Sequence, residues 1–171
     1  MKVTDACLKQ IYAHAAASYP AECFGFLLGT FDRTGTAYQA VAGANLCTDR
    51  TDRFEMDPQQ FVQVDHLADG HGWEVIGFYH SHPDWPAIPS QTDLVWAWEN
   101  AYYLIVSTVN THPAHSAVWA LAPDAPRRFV AALLEVTDET ELLPGQLASG
   151  SAPGEVKGQS LLDRPDRDLG A

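Results

Sequence analysis

The stretch that most constrains this chain runs from residue 73 to residue 93. Trp-Glu-Val-Ile-Gly-Phe-Tyr-His is a nearly continuous apolar run of strand length, and it ends on His80-Ser81-His82-Pro83. Three prolines, Pro83, Pro86 and Pro89, then predict a loop over residues 81–89, because proline cannot continue a strand or a helix. On an extended strand, residues two apart project to the same side, so His80 and His82 can offer both imidazoles to one ion. Ser90-Gln91-Thr92-Asp93 has the serine-to-acid spacing that opens a helix. That spacing puts Asp93 in a first helical turn, where the preceding loop can fold it back toward the strand end. Two imidazoles, one carboxylate and an open fourth position form the ligand set of a catalytic zinc site, not a closed structural one. Each piece alone has a plainer reading. An isolated His-x-His is commonly a pair of partly exposed side chains, and Ser-x-x-Asp is an ordinary helix opening. The joint spacing favours the metal.

The flanking sequence supplies a sheet to hold such a strand. Thr4 is placed to cap a helix running to about residue 19, with Leu8, Ile11, Tyr12, Ala15 and Ala16 at helical spacing and Pro20 as the stop. Residues 23–31 predict a buried strand and residues 37–46 its return after a turn at Gly35. Asp57 and Pro58 take the N-cap and first-turn positions of a second helix that ends near Gly70. A third helix is expected over residues 90–100, and further strands over 102–109, 114–121 and 127–136. Trp96 and Trp98 are expected as core and flank residues. Helices and strands intermix without regular βαβ repetition, so the expected class is α/β or α+β, with one domain over residues 1–136. Residues 137–171 turn rich in Gly, Pro, Ser and Asp and predict a flexible acidic tail.

A formal net charge of −12 repels phosphate backbones and anionic lipid, which excludes nucleic acid and membrane surfaces as favoured partners. Cys7, Cys23 and Cys47 are odd in number and lack a CxxC spacing, which favours a reducing compartment. An AxA-like run lies near residue 15, but Asp5, Lys9, Gln10 and His14 break any apolar segment before it, so a cytoplasmic protein is expected. GxxxxGK[ST], GxGxxG and HExxH are all absent. His112-Pro113-Ala114-His115 offers a second histidine pair, for which a solvated loop is expected.

The run His80-Ser81-His82-Pro83, then seven residues from His82 to Ser90 and two to Asp93, resembles the His-x-His-x7-Ser-x2-Asp motif of the JAMM (MPN-plus) metallopeptidases. Glu22-Cys23-Phe24-Gly25-Phe26-Leu27 fits the upstream glutamate and strand of that family. Many relatives carry cysteine two residues after the glutamate, where this chain has Phe24. The resemblance covers roughly residues 3–136 and implies a mixed sheet flanked by helices, related to cytidine-deaminase-like folds. The zinc-deaminase ligands, His-x-Glu with Pro-Cys-x-x-Cys, are absent. It further implies one catalytic zinc ion on His80, His82 and Asp93, with Glu22 as general base and Ser90 hydrogen-bonded to the oxyanion. Helix capping is the competing role for Ser90, and one hydroxyl is not expected to serve both well. Trp85 is a candidate lining residue of the substrate channel. The phrase Ala101-Tyr102-Tyr103-Leu104-Ile105-Val106-Ser107 is most similar to compact prokaryotic members, which act on ubiquitin-like sulfur carriers at the Gly-Gly end. Competing expectations are a metal-free binding scaffold and a peptidoglycan-peptide hydrolase. The scaffold would have lost one or more of these five positions, and the hydrolase would carry a second domain.

Overall fold

A computed structural model describes residues 1–31, 34–44, 56–124 and 127–138. In chain order it contains β1 (Lys2–Thr4), α1 (Asp5–Ser18), β2 (Phe24–Thr30), β3 (Thr36–Ala42), α2 (Pro58–Gly70) and β4 (Glu74–Pro83). α3 (Gln91–Trp96), β5 (Tyr102–Val109), β6 (His112–Leu121), β7 (Phe129–Ala132) and β8 (Glu135–Thr137) follow. The strands form one mixed sheet in the order β7-β6-β5-β4-β2-β3-β1-β8. β4 lies at its centre, antiparallel to β2 and parallel to β5. The α/β class expected from the pattern is the observed one.

Alternation along the strands sorts the core into two faces. Leu27, Ile76, Tyr79, Leu104, Val106 and Val118 pack with Cys7, Leu8 and Ile11 of α1 on the back face. Phe24, Phe26, Leu28 and Val75 pack with Phe61 and Val64 of α2 on the front face. Thr4 caps α1 by accepting the Cys7 N–H at 3.2 Å, and Asp57 caps α2 through the Gln59 N–H at 2.8 Å. Gly77 lets β4 lie against β5: a Cβ there would sit 2.2 Å from the Tyr102 carbonyl oxygen.

Several elements differ from the sequence expectation, beginning with β1, for which no strand was expected. β4 continues through His82 to Pro83, because β5 pairs it on one side as far as Pro83 and Thr108, and Pro83 is the last residue of the strand. α3 has six residues and stops at Trp96. Asn100 at φ 55° and a bond from the Trp98 N–H to the Tyr103 hydroxyl at 2.6 Å turn the chain into β5. Trp98 thereby reaches the rings of Phe61 and Phe78 at centroid distances of 5.2 and 5.4 Å, whereas Trp96 stays 64% exposed instead of joining the core. The segment expected as one strand over 127–136 is two. β7 pairs with β6 on one edge of the sheet, and β8 pairs with β1 on the other. Because Leu133 and Leu134 alone join these opposite edges, the sheet curls until its edges approach. The last strand reaches Thr137, whose hydroxyl donates to the Val3 carbonyl at 3.5 Å. The rest of the expected tail, from residue 139, and the end of the expected return strand, with Cys47, lie outside the described residues.

Candidate active site

The front face of β4 at its C-terminal end gathers the expected metal ligands. His80 is paired with Phe24 across the antiparallel ladder and with Ile105 across the parallel one, and His82 is paired with Ser107. Chain direction then changes at Asp84, which sits at φ 58° with its N–H bonded to the Thr108 carbonyl at 2.8 Å. The Tyr19 hydroxyl donates to Asp84 Oδ2 at 2.8 Å, and Trp119 Nε1 donates to the Ala87 carbonyl at 3.0 Å. These bonds hold the proline-rich loop so that it returns to the strand end as Ser90 opens α3.

Ser90 and Asp93 form a reciprocal cap. The Asp93 N–H donates to Ser90 Oγ at 3.2 Å, and the Ser90 N–H donates to Asp93 Oδ2 at 2.6 Å. The cap fixes the rotamer of Asp93 and aims its carboxylate at the histidines. His80 Nε2 lies 3.3 Å from Asp93 Oδ1, His82 Nε2 lies 3.8 Å from Asp93 Oδ2, and the two imidazole Nε2 atoms are 3.0 Å apart. The three side chains are almost fully buried.

A hydrogen bond sets the His82 tautomer. Nδ1 lies 2.8 Å from the Pro86 carbonyl, which can only accept, so Nδ1 carries the proton and Nε2 turns a lone pair to the cluster. Burial, and then the neighbouring His80, lower the His82 pKa, keeping it neutral at neutral pH. Burial alone would raise the Asp93 pKa. Its bonds to His80 and Ser90 outweigh that and hold the carboxyl well below the usual carboxylate range. A neutral imidazole and an ionised carboxylate are the states that bind a cation.

The group fits zinc. Bonds of about 2.0–2.1 Å in a tetrahedron place neighbouring ligand atoms about 3.3 Å apart. The imidazole pair at 3.0 Å and the His80 Nε2 to Asp93 Oδ1 distance of 3.3 Å match that edge; His82 Nε2 is nearer the other oxygen, Oδ2, at 3.8 Å, and with one ligand atom from each residue all separations stay within 4.8 Å. Among the described residues, these three side chains form the one group of three or more His, Cys, Asp or Glu able to hold a metal ion, with ligand atoms all within 4.8 Å.

Glu22 precedes β2. The antiparallel register runs Phe26↔Phe78, Gly25↔Tyr79, Phe24↔His80, and the Ser81 N–H continues it with a bond to the Cys23 carbonyl at 3.0 Å. Glu22 comes immediately before Cys23, outside the paired strand. Cys23 belongs to the face opposite the histidines, where its N–H bonds to Ser81 Oγ at 2.9 Å and burial raises its thiol pKa. Burial thus disfavours the thiolate form in which a cysteine acts as a nucleophile. Trp85 stands 72% exposed beside the site.

Sequence reading did not identify the Pro86 carbonyl, the Tyr19–Asp84 bond or the Trp119–Ala87 bond. The prolines were legible only as breakers, and a tryptophan N–H has no partner written in sequence.

A model of the prokaryotic homologs of the JAB domain matches residues 4–122, a span that contains the whole cluster. The chain belongs to that family. As a JAB domain it is similar to the desampylase of Haloferax volcanii, with 36% identity over 113 residues, 65% of this chain and 80% of the relative. The solution structure of a Salinibacter ruber protein shares 36% identity and a TM-score of 0.62, over 81% of this chain and 93% of that one. A structure of JAMM, described as a metalloprotease-like zinc site in the proteasome and signalosome, matches 81% of this JAB domain and 98% of its own length. Its TM-score is 0.50 and its identity 20%, a likeness of fold alone.

Proposed function

We propose that this JAB domain is a zinc-dependent peptidase or isopeptidase that hydrolyses the bond after the C-terminal Gly-Gly of a small ubiquitin-like protein of sulfur-carrier type. The observation that carries the proposal is the convergence of His80, His82 and Asp93, with ligand atoms inside 4.8 Å and a carbonyl fixing one imidazole. Its substrate class is supported by the name of the desampylase relative.

His80, His82 and Asp93 would hold the ion, which when bound supplies a Lewis acid for the scissile carbonyl and lowers the pKa of a coordinated water to about 7. Glu22, which one further step of the β2–β4 register would set across from His82, is the general base: its carboxylate takes a proton from the attacking water and returns it to the leaving amine, so the proton count closes over the cycle. Ser90 donates its hydroxyl to the oxyanion. The cap and this role are compatible, since accepting the Asp93 N–H uses a lone pair of Oγ and leaves the O–H to donate. Trp85, Ile88, Val95 and Trp96 are exposed on the loop and helix that frame the cluster. An apolar rim of that kind suits a folded protein substrate.

Zinc content measured on the purified protein, together with cleavage of a sulfur carrier extended beyond its Gly-Gly, tests the reading. One zinc per chain and cleavage abolished by a chelator are expected. A folded protein that takes up no zinc would return the molecule to the class of binding scaffolds.

A further inference from the structure

The front face carries a second feature, a groove of about 280 Å³ that begins at Ser90 and runs over Ile88, Trp119 and Phe129 to Arg127 and Arg128. Its volume lies below the range of a pocket that swallows a whole small molecule, and matches one or two side chains of a longer ligand. The charge at its far end is out of keeping with the rest of the chain. Arg127 and Arg128 are the only arginines among the described residues, in a molecule of net charge −12. Lys9 is engaged by Asp5, and Lys2 lies on β1 near the far edge of the sheet. Both guanidinium groups are exposed. Arg128 is tied only loosely, at 3.9 Å, to Asp124, while its carbonyl is fixed by the Ala122 N–H at 2.8 Å. Arg127, at the same end of the groove, occupies φ 64°, a left-handed position that costs a non-glycine residue energy.

We propose that this groove is a specificity subsite in which Arg127 and Arg128 receive an acidic side chain of the substrate polypeptide, within a few residues of the scissile bond. The placement carries the argument, and it rests on the peptidase reading above. An extended chain advances about 3.3–3.6 Å per residue, so a segment held at Ser90 reaches the arginines within a few residues. Its apolar neighbours lie on Ile88, Trp119 and Phe129. Elsewhere the field of the protein repels an acidic segment, so the arginine pair also sets which way such a segment can lie. Arginine suits the task because its planar fork pairs with a carboxylate through two parallel bonds.

The test uses carrier proteins ending in Gly-Gly plus a short extension, with Glu or Gln placed in turn at each position flanking the scissile bond. At one position the Glu substrate should be cleaved with a kcat/KM about fivefold above its Gln partner, as an exposed ion pair of about 1 kcal/mol gives. That ratio should shrink with added salt and reverse in favour of Lys in R127E/R128E. The same carrier proteins, fluorescently labelled, are titrated by anisotropy against Glu22→Gln protein, where no turnover is needed. Equal binding and cleavage of Glu and Gln at every position would overturn the subsite and leave the peptidase intact. An arginine-dependent preference in binding without any cleavage by the wild type would sustain the subsite and remove the peptidase reading. If the preference follows the free terminal carboxylate and vanishes on amidation, the side-chain assignment is wrong.

Discussion

Two pairs of histidines lie on the same face of one sheet, and only one of them joins a carboxylate in a cluster that could hold a metal ion. His80 and His82 stand at the end of β4. His112 and His115 stand at the start of β6, two strand spacings away, or about 10 Å. A register shift between Ser107 and Thr108 leaves Ala114 as an extra residue, so His115 lies opposite Ser107 and His112 opposite Val109, on one side. Both pairs therefore share a face, and sharing a face does not make a site. The difference is in what surrounds them. His80 and His82 are buried, meet the carboxylate of Asp93, and have the Pro86 carbonyl to set a tautomer. His112 and His115 are exposed, no carboxylate among the described residues joins them in a group of three, and His112 Nδ1 closes its own hairpin on the Asn110 carbonyl at 2.6 Å. The expected solvated loop is thus a strand end, with the solvated character retained.

That contrast can be broken at several points. The largest effect is expected from His82→Ala, which should reduce bound zinc from one per chain to background and abolish cleavage, whereas His115→Ala should leave both unchanged. Metal analysis with a turnover assay decides it, and loss of zinc in the second variant would make the pairs equivalent. Glu22→Gln should retain zinc and lower kcat by about 10²–10⁴; a near-normal rate would remove Glu22 as the base. Ser90→Asp separates the two roles of that residue, because aspartate caps a helix but offers no hydroxyl to an oxyanion. Its melting temperature should stay close to wild type while kcat falls about 10²–10³. Unfolding at a markedly lower temperature would mean the cap needs serine itself. The smallest effect is assigned to Trp85→Ala, for which KM for a folded carrier should rise by about fivefold, 1 kcal/mol, with kcat held. A matching loss on a short peptide would place Trp85 at the bond being cut and not on the rim.

How much of this was legible varies with the range of the interaction that decides each feature. The α1 and α2 caps and the Ser90–Asp93 box are local, and Thr4, Asp57 and Ser90 announce them at fixed spacing. His80 and His82 are legible together because a strand has period two, and their partnership with Asp93 because the family motif spans the loop. What escaped was decided at a distance. Three prolines argued for a loop from Ser81, but pairing with β5 carries β4 on through His82. A third helix was expected as far as residue 100, but α3 stops at Trp96 and Trp98 turns onto Phe61 and Phe78. The pattern of residues 127–136 contains nothing to say that its halves serve opposite edges of the sheet.

The two-residue step from β7 to β8 has a consequence for how the molecule is made. Every residue assigned to the metal cluster and its base lies between Glu22 and Asp93, and the central strands are complete once β6 has left the ribosome. Among the described strands β1 is synthesised before all others, yet one of its two partners, β8, comes after all others, paired in parallel over a separation of more than a hundred residues. Contacts of such long range form slowly, because the loop they close must be ordered before pairing rewards it. The growing chain thus holds a nearly finished histidine–aspartate cluster while β1 still waits for β8.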